Sequence, residues 1–414
     1  MKKLILFFLL IISSSVVGQG TNKIQNFFYL FQYDSAIVEI NKALIADSTS
    51  AELHHQLGLT YFLQNDDRKA LPCFEKCRQL SPDDIANLNY LSKTYSNLGQ
   101  TTRAIHTLRY AARVDSTRKD IWNELGKILY REDYYREADS VYRILTTLQP
   151  DNANNLLMRA RCATKQDSIE QANYHYARSY KIDSCHVKIL FEYARNLFQM
   201  DSLQQAQTKI NQAIRIESRN WQLYRLKGDI YFEQKQYHSA ILAYLDAISR
   251  GDKSIAAYKK LGFSYYMIKN YSKCIHTFQI VLDSKDDDPV IYYYMGICFQ
   301  EINDLGLAVH HLKKAIECLK PDFLDDIHST LASCYYRAGH FQKSIQHYRQ
   351  ALELTDKKEE IYYQMANVYD DYYADKSVAL KYYRLALKNE ITPEITSFIQ
   401  NRMDTIKKQQ FLKK

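Results

Sequence analysis

Lys93, Lys127, Arg161 and Arg195 stand 34 residues apart, four cations in a row at one interval. If a fold lines them up on one face, that row can make charge-assisted hydrogen bonds to carboxylates. Each such bond contributes about 1.5–3 kcal/mol where water is partly excluded. A second row, Tyr130, Phe198, Phe232, Tyr266 and Tyr336, follows nearly the same interval three residues further along. Rings in that arrangement can hold the apolar parts of a ligand or stack on sugars.

The remaining reactive residues do not assemble into a catalytic or metal signature. No two of the 12 His are three or four residues apart, no CxxC occurs, and the only Gly-x-Gly spans Gly18 to Gly20, outside any phosphate-loop pattern. Cys73 and Cys77 lie one helical turn apart, but Cys77 takes a place that related segments fill with Ala, so we read it as a small buried side chain. Asp286-Asp287-Asp288-Pro289 lacks the glycine and terminal Glu of a calcium loop and reads as a helix start, with Asp288 capping and Pro289 in the first turn. No catalytic residue, cofactor or metal is expected. Cys298 and Cys334 hold the same place in adjacent segments and are a candidate pair.

What positions the two rows is a repeat. Ala36, Ala70, Ala104, Ala138, Ala172, Ala206, Ala240, Cys274 and Ala308 follow one another at 34 residues, and Ser344 and Ala379 continue at 36 and 35. Twelve residues before these markers runs a column of small residues, including Gly58, Ser92, Gly126, Ala160, Gly228, Gly262 and Gly296. Nine before them is a mostly aromatic column with Tyr61, Tyr95, Tyr231 and Tyr265, and four after them a bulky one with Phe74, Tyr142, Tyr176, Tyr244 and Phe278. Spacings of three, four and seven within each half are helical, and turn residues such as Asn65 and Gly99 separate the halves. Each unit is therefore a helical hairpin that cannot bury its own apolar face and must stack on a copy of itself.

These columns resemble the tetratricopeptide repeat family, whose pattern appears as Leu57-Gly58, Tyr61, Ala70, Phe74 and Pro82, and again as Trp122, Leu125-Gly126, Ala138, Tyr142 and Pro150. The resemblance implies an all-α, right-handed superhelical α-solenoid of about ten stacked hairpins over residues 51–393. A half repeat at 19–50 precedes it, and a C-terminal capping helix with a basic tail at 394–414 follows. In the last segment Ile395, Ile399, Met403 and Ile406 form one apolar stripe. Departures are modest: Ala160 and Ala163 replace the Gly and Tyr of the fourth repeat, and one residue is inserted before Ala379.

The resemblance also implies where partners bind. Residues one place beyond the Gly and Tyr columns lie about 100° round the first helix, and in the family that stripe lines a concave groove. The cation row follows the Gly column and the aromatic row follows the Tyr column, so both fall in it. Residues 85–229 hold 22 Lys or Arg against 15 Asp or Glu, although Asp120, Glu192 and Asp229 stand close enough in sequence to neutralise some of the cations. Asn89, Lys93, Asn123 and Lys127 have the residue types of a carboxylate clamp used by some relatives, without its order. Two readings stay open. One is a non-catalytic scaffold that binds an extended acidic or carboxylate-bearing protein segment; the other is an envelope-assembly factor whose aromatics bind glycan.

The first 20 residues, MKKLILFFLLIISSSVVGQG, have a basic start, an apolar run from Leu4 to Ile12 and small residues up to Gly18. This reads as a signal peptide at 1–18, with cleavage before Gln19 and export to a periplasm or the exterior, where envelope complexes are candidate partners. Loss of Lys2 and Lys3 takes the net charge from +8 to +6. No span is expected to hold the mature chain in a membrane, and an exported chain of this ordinary basicity is not expected to bind nucleic acid.

Overall fold

The computed structural model describes residues 24, 26–28, 30–284, 287–318, 323–388 and 392–411. The signal segment read at 1–18, Asp286 and the end of the basic tail lie outside them. The chain forms two compact units, Met1–Met200 and Asp201–Lys414. Among the described residues all regular structure is helical.

In the first unit a helix at Tyr33–Ala46 leads into hairpins Ala51–Leu63 with Asp67–Leu80, Ile85–Asn97 with Thr101–Val114, Lys119–Arg131 with Tyr135–Leu148, and Ala153–Lys165 with Ile169–Ile182, followed by Val187–Gln199. The second unit begins with Leu203–Ile216. It continues through Trp221–Glu233 with Tyr237–Ser249, Ile255–Met267 with Tyr271–Asp283, Pro289–Glu301 with Leu305–Cys318, Leu324–Arg337 with Phe341–Leu354, and Glu359–Tyr372 with Ser377–Ala386. It ends in Pro393–Phe411. Within each unit a first helix packs on its own second helix, and that second helix packs on the next first helix.

The small-residue columns explain the packing. Every marker from Ala36 to Ala379 is fully buried, Cys274 and Ser344 included. A Cβ placed on Gly58 would lie 2.7 Å from Cδ1 of Phe74, and one on Gly228 would lie 2.6 Å from Cε1 of Tyr244. The ring 16 residues on thus rests on bare backbone of its hairpin partner. Ala160 stands at the same place opposite Tyr176, and both residues are buried.

The hairpin turns repeat as strictly as the core. Asn65, Gly99, Asp133 and Asp167 in the first unit have φ between 54° and 74°; Lys235, Lys269, Asn303 and Gly339 hold the same place in the second unit, with φ between 59° and 76°. This is the left-handed conformation that closes a helix, easy for Gly, tolerated by Asn and Asp, and costly for Lys. The residue inserted before Ala379 lies in a lengthened turn: the last hairpin connects Tyr372 to Ser377, where earlier ones leave three residues between helices.

Asp288 caps the Pro289–Glu301 helix, accepting from the Val290 N–H at 2.9 Å. The C-terminal helix buries Ile399, Met403 and Ile406 against Leu380 and Tyr383. Asp370, which the sequence places in the aromatic row's column, instead clasps this helix: Arg402 donates to its two oxygens at 2.7 and 3.2 Å, and the Tyr383 hydroxyl donates at 3.2 Å. Burial by itself would push the Asp370 carboxyl up, but Arg402 and Lys376 outweigh it and hold the group below its ordinary value.

Replacing the strained, exposed Lys269 with Gly relieves a left-handed non-glycine residue. We expect Lys269→Gly to raise stability by about 0.5–1 kcal/mol in urea denaturation, with no change in far-ultraviolet circular dichroism.

Candidate functional site

The sequence-predicted cations all stand on first helices of the first unit, and the structure gives them unequal surroundings. Lys127 is 63% exposed and, among the described residues, pairs only with Glu124 on its own helix, at 2.9 Å. Arg161 is 20% exposed and holds Glu192 of the next first helix with both branches of its guanidinium, Nε lying 2.7 Å from Oε2. That hydrogen-bonded carboxylate pushes Arg161 further up from its already high value. Lys93 sits 5.3 Å from the centre of the Tyr90 ring, and Arg195 sits 6.0 Å from that of Phe191. Among the described residues neither Lys93 nor Arg195 has a carboxylate within ion-pair distance.

Of the acids that the sequence places nearby, only Glu192 neutralises a member of the row. Asp120 is taken by Arg118, at 2.7 and 2.9 Å, and by Asn89, at 3.4 Å. In the second unit Asp229 accepts the Tyr244 hydroxyl at 2.8 Å, while burial pushes its carboxyl up. Two members of the row thus keep a cation without a carboxylate, one has a local surface partner, and one is fixed.

The aromatic row has a structural duty as well. Tyr130 meets Tyr135 edge-on with centroids 5.4 Å apart, Phe232 meets Tyr237 at 5.5 Å, Tyr266 meets Tyr271 at 6.4 Å and Tyr336 meets Phe341 at 6.0 Å. In each case the partner lies five residues on, at the first position of the second helix, so the two rings brace the hairpin turn. The recurrent aromatic at that place was the available signal. Phe198, with Leu203 five residues on, is half-buried.

In the second unit the same stripe carries more rings. Tyr266 and Phe263 both pack edge-on against Tyr294, with centroids 4.8 and 5.0 Å apart, and Lys260 lies 4.4 Å over Phe232. Burial, with the neighbouring Tyr294, pushes the Tyr266 hydroxyl up to about 12. Tyr336 donates to Asp371 in the next hairpin. In the same unit a cavity of about 600 Å³ is lined by Asp325, Asp326, Ser333, Lys357, Glu360 and Gln364 among others, a polar lining rich in acids. Paired acids at the starts of adjacent first helices, Asp325-Asp326 and Glu359-Glu360, were its sequence signal.

One reading of the cysteines changes, and that of Cys77 as a small buried side chain holds. Cys298 does not face Cys334; it meets Cys274 of the preceding hairpin, because columns of different hairpins interlock across a junction while equivalent positions lie a full repeat apart. Cys77 comes near His55 and Asp84, with ligand atoms within 4.8 Å of one another, while Cys73 is no part of that group. Each member has a structural role. Asp84 caps the Ile85–Asn97 helix through the Asn87 N–H at 3.1 Å, Cys77 fills a buried small-residue column, and the His55 ring packs on Phe74 and Tyr90.

The family description Tetratricopeptide repeat matches residues 51–84 and 192–255, and TPR repeat matches residues 332–370. With the observed hairpins, these matches make the chain a tetratricopeptide-repeat protein, a scaffold for protein–protein interaction. None of the curated proteins matches the chain in sequence. Among solved structures, the C-terminal part of a TPR repeat-containing protein from Cytophaga hutchinsonii is 18% identical, with 57% of this chain and 97% of that chain covered and a TM-score of 0.49. A tetratricopeptide repeat protein from Parabacteroides merdae is 16% identical, with 59% and 97% covered and a TM-score of 0.42. Yeast Tom70 is 15% identical over 94% of this chain and 95% of its own, with a TM-score of 0.37. Among the described residues no helix is long and apolar enough to cross a membrane.

Because Glu192 is 9% exposed and Arg161 20%, losing the carboxylate leaves a half-buried cation without its partner. Glu192→Gln should lower stability by about 1–3 kcal/mol in chemical denaturation. Arg161→Met combined with Glu192→Gln should recover most of that loss.

Proposed function

We propose that the first unit binds an extended acidic segment of a partner protein along its first-helix stripe. Lys93, Lys127 and Arg195 supply the contact charges, Tyr130 and Phe198 take apolar side chains between them, and Arg161, held by Glu192, forms a fixed polar floor. The observation that carries this reading is that Lys93 and Arg195 each lie against a ring with no carboxylate partner. A cation with its stem on an aromatic ring keeps a defined position at small entropic cost, and its remaining donors stay available to a ligand.

In the second unit the stripe suits apolar segments, with Phe232, Tyr266 and Tyr336 as the rings a partner would touch. We favour a protein partner over a glycan because each of these rings already packs against another ring, Phe232 edge-on to Tyr237, Tyr266 edge-on to Tyr294 and Tyr336 tilted against Phe341, which leaves fewer open faces for a sugar to stack on. The basic start and apolar run of the sequence support action after export, in a periplasm or outside the cell, with envelope complexes as the setting.

The test is fluorescence anisotropy of the chain from Gln19 with labelled acidic peptides and with neutral peptides of the same length. We expect acidic peptides to bind in a salt-dependent manner. Lys93→Glu with Arg195→Glu should weaken binding at least tenfold, since about 1.4 kcal/mol corresponds to a factor of ten. Equal binding by this variant, at unchanged helicity and melting, would sink the proposal.

A further inference from the structure

Cys274 and Cys298 are both fully buried, and their sulfurs lie 3.4 Å apart, the Cys298 thiol donating to the Cys274 sulfur. They belong to adjoining hairpins of the second unit, Cys274 to the Tyr271–Asp283 helix and Cys298 to the Pro289–Glu301 helix. The two columns that meet here, 24 residues apart, hold Ala70 and Thr94, Ala104 and Ile128, Ala138 and Cys162, and Ala240 and Ser264 at other junctions. At this junction both places are cysteine. A disulfide needs sulfurs at about 2.0 Å, so closure calls for an approach of roughly 1.4 Å, within reach of small side-chain rotations.

We propose that Cys274 and Cys298 form a disulfide that locks these two hairpins together when the chain meets an oxidising disulfide donor, such as the disulfide of a small thiol. The thiolate of one cysteine attacks the donor's S–S bond, forming a mixed disulfide and releasing one donor thiolate. The thiolate of the other cysteine attacks the protein sulfur of that mixed disulfide, closing the Cys274–Cys298 bond and releasing the second donor thiolate. The two protein thiols give up two protons and two electrons, and the donor's S–S bond is reduced to two thiols.

Burial shapes the kinetics of this step. The hydrogen bond with Cys298, together with burial, pushes the Cys274 thiol well above its ordinary range. In the closed hairpins it is neither a thiolate nor within reach of a donor. Exchange therefore proceeds during folding or when the junction opens, and the finished bond is shielded from reductant in the same way.

The test refolds the full chain, reduced and denatured, in mixtures of reduced and oxidised glutathione, followed by acid quench, alkylation under denaturing conditions and peptide mass mapping. We expect the Cys274 peptide joined to the Cys298 peptide as the main cross-link, and a higher melting midpoint for oxidised than for reduced chain. In Cys274→Ala, which restores the residue most hairpins carry at that place, the cross-link and the midpoint difference should both vanish while the fold is kept. Full alkylation of both cysteines from the most oxidising mixture would overturn the proposal, as would Cys298 joined to Cys334 or a midpoint lowered by oxidation.

Discussion

A ring pressed on bare backbone is the contact on which the rest of this structure depends. Phe74 on Gly58, Tyr142 on Gly126 and Tyr244 on Gly228 bring the two helices of a hairpin so close that a Cβ on the glycine would lie within 3 Å of the ring. That approach buries the Ala column completely and leaves an apolar side that only the next hairpin can cover. Because every hairpin solves the same problem with a small residue facing a bulky one 16 or 17 residues on, each first helix presents an equivalent stripe away from the packed face. Four positions 34 residues apart in sequence become successive positions on that stripe.

The stripe is where this chain differs from a generic stack. Packing columns cannot vary without cost, whereas residues one place round the first helix are free to carry charge or rings. In the first unit they carry cations of unequal standing, with the Arg161–Glu192 pair fixed and, among the described residues, Lys93 and Arg195 left without a carboxylate. The second unit carries rings on its stripe, with acids beside Tyr336. Such a surface suits recognition of protein segments, in keeping with the family's role as an interaction scaffold.

Much of this was legible in the residues, because helical periodicity and a fixed repeat are local signals. The markers from Ala36 to Ala379, the Asp288 cap and the stripe of Ile399, Met403 and Ile406 are all where the pattern puts them. What was not legible depends on contacts between hairpins. Glu192 is legible as a neutralising acid, but that its partner is Arg161, 31 residues away, is not, and Cys298 meets Cys274 rather than its equivalent Cys334, because junctions join unlike positions. The left-handed Lys235 and Lys269 are not legible in the sequence, since composition marks turns by Gly and Asn. The aromatic row was legible as a row, but its bracing of the turns appears only when the fifth residue on is also considered.

If neighbour-to-neighbour burial carries the stability of each unit, damage to one contact should spread only to the hairpins that touch it. The direct measurement is hydrogen exchange by mass spectrometry on the full chain bearing Gly228→Val, whose side chain would drive into the Tyr244 ring. The account predicts lost protection in Trp221–Glu233 and Tyr237–Ser249, a smaller loss in Leu203–Ile216 and Ile255–Met267, and native protection in the C-terminal helix Pro393–Phe411. Uniform loss of protection through the whole second unit, or none in the substituted hairpin, would contradict it.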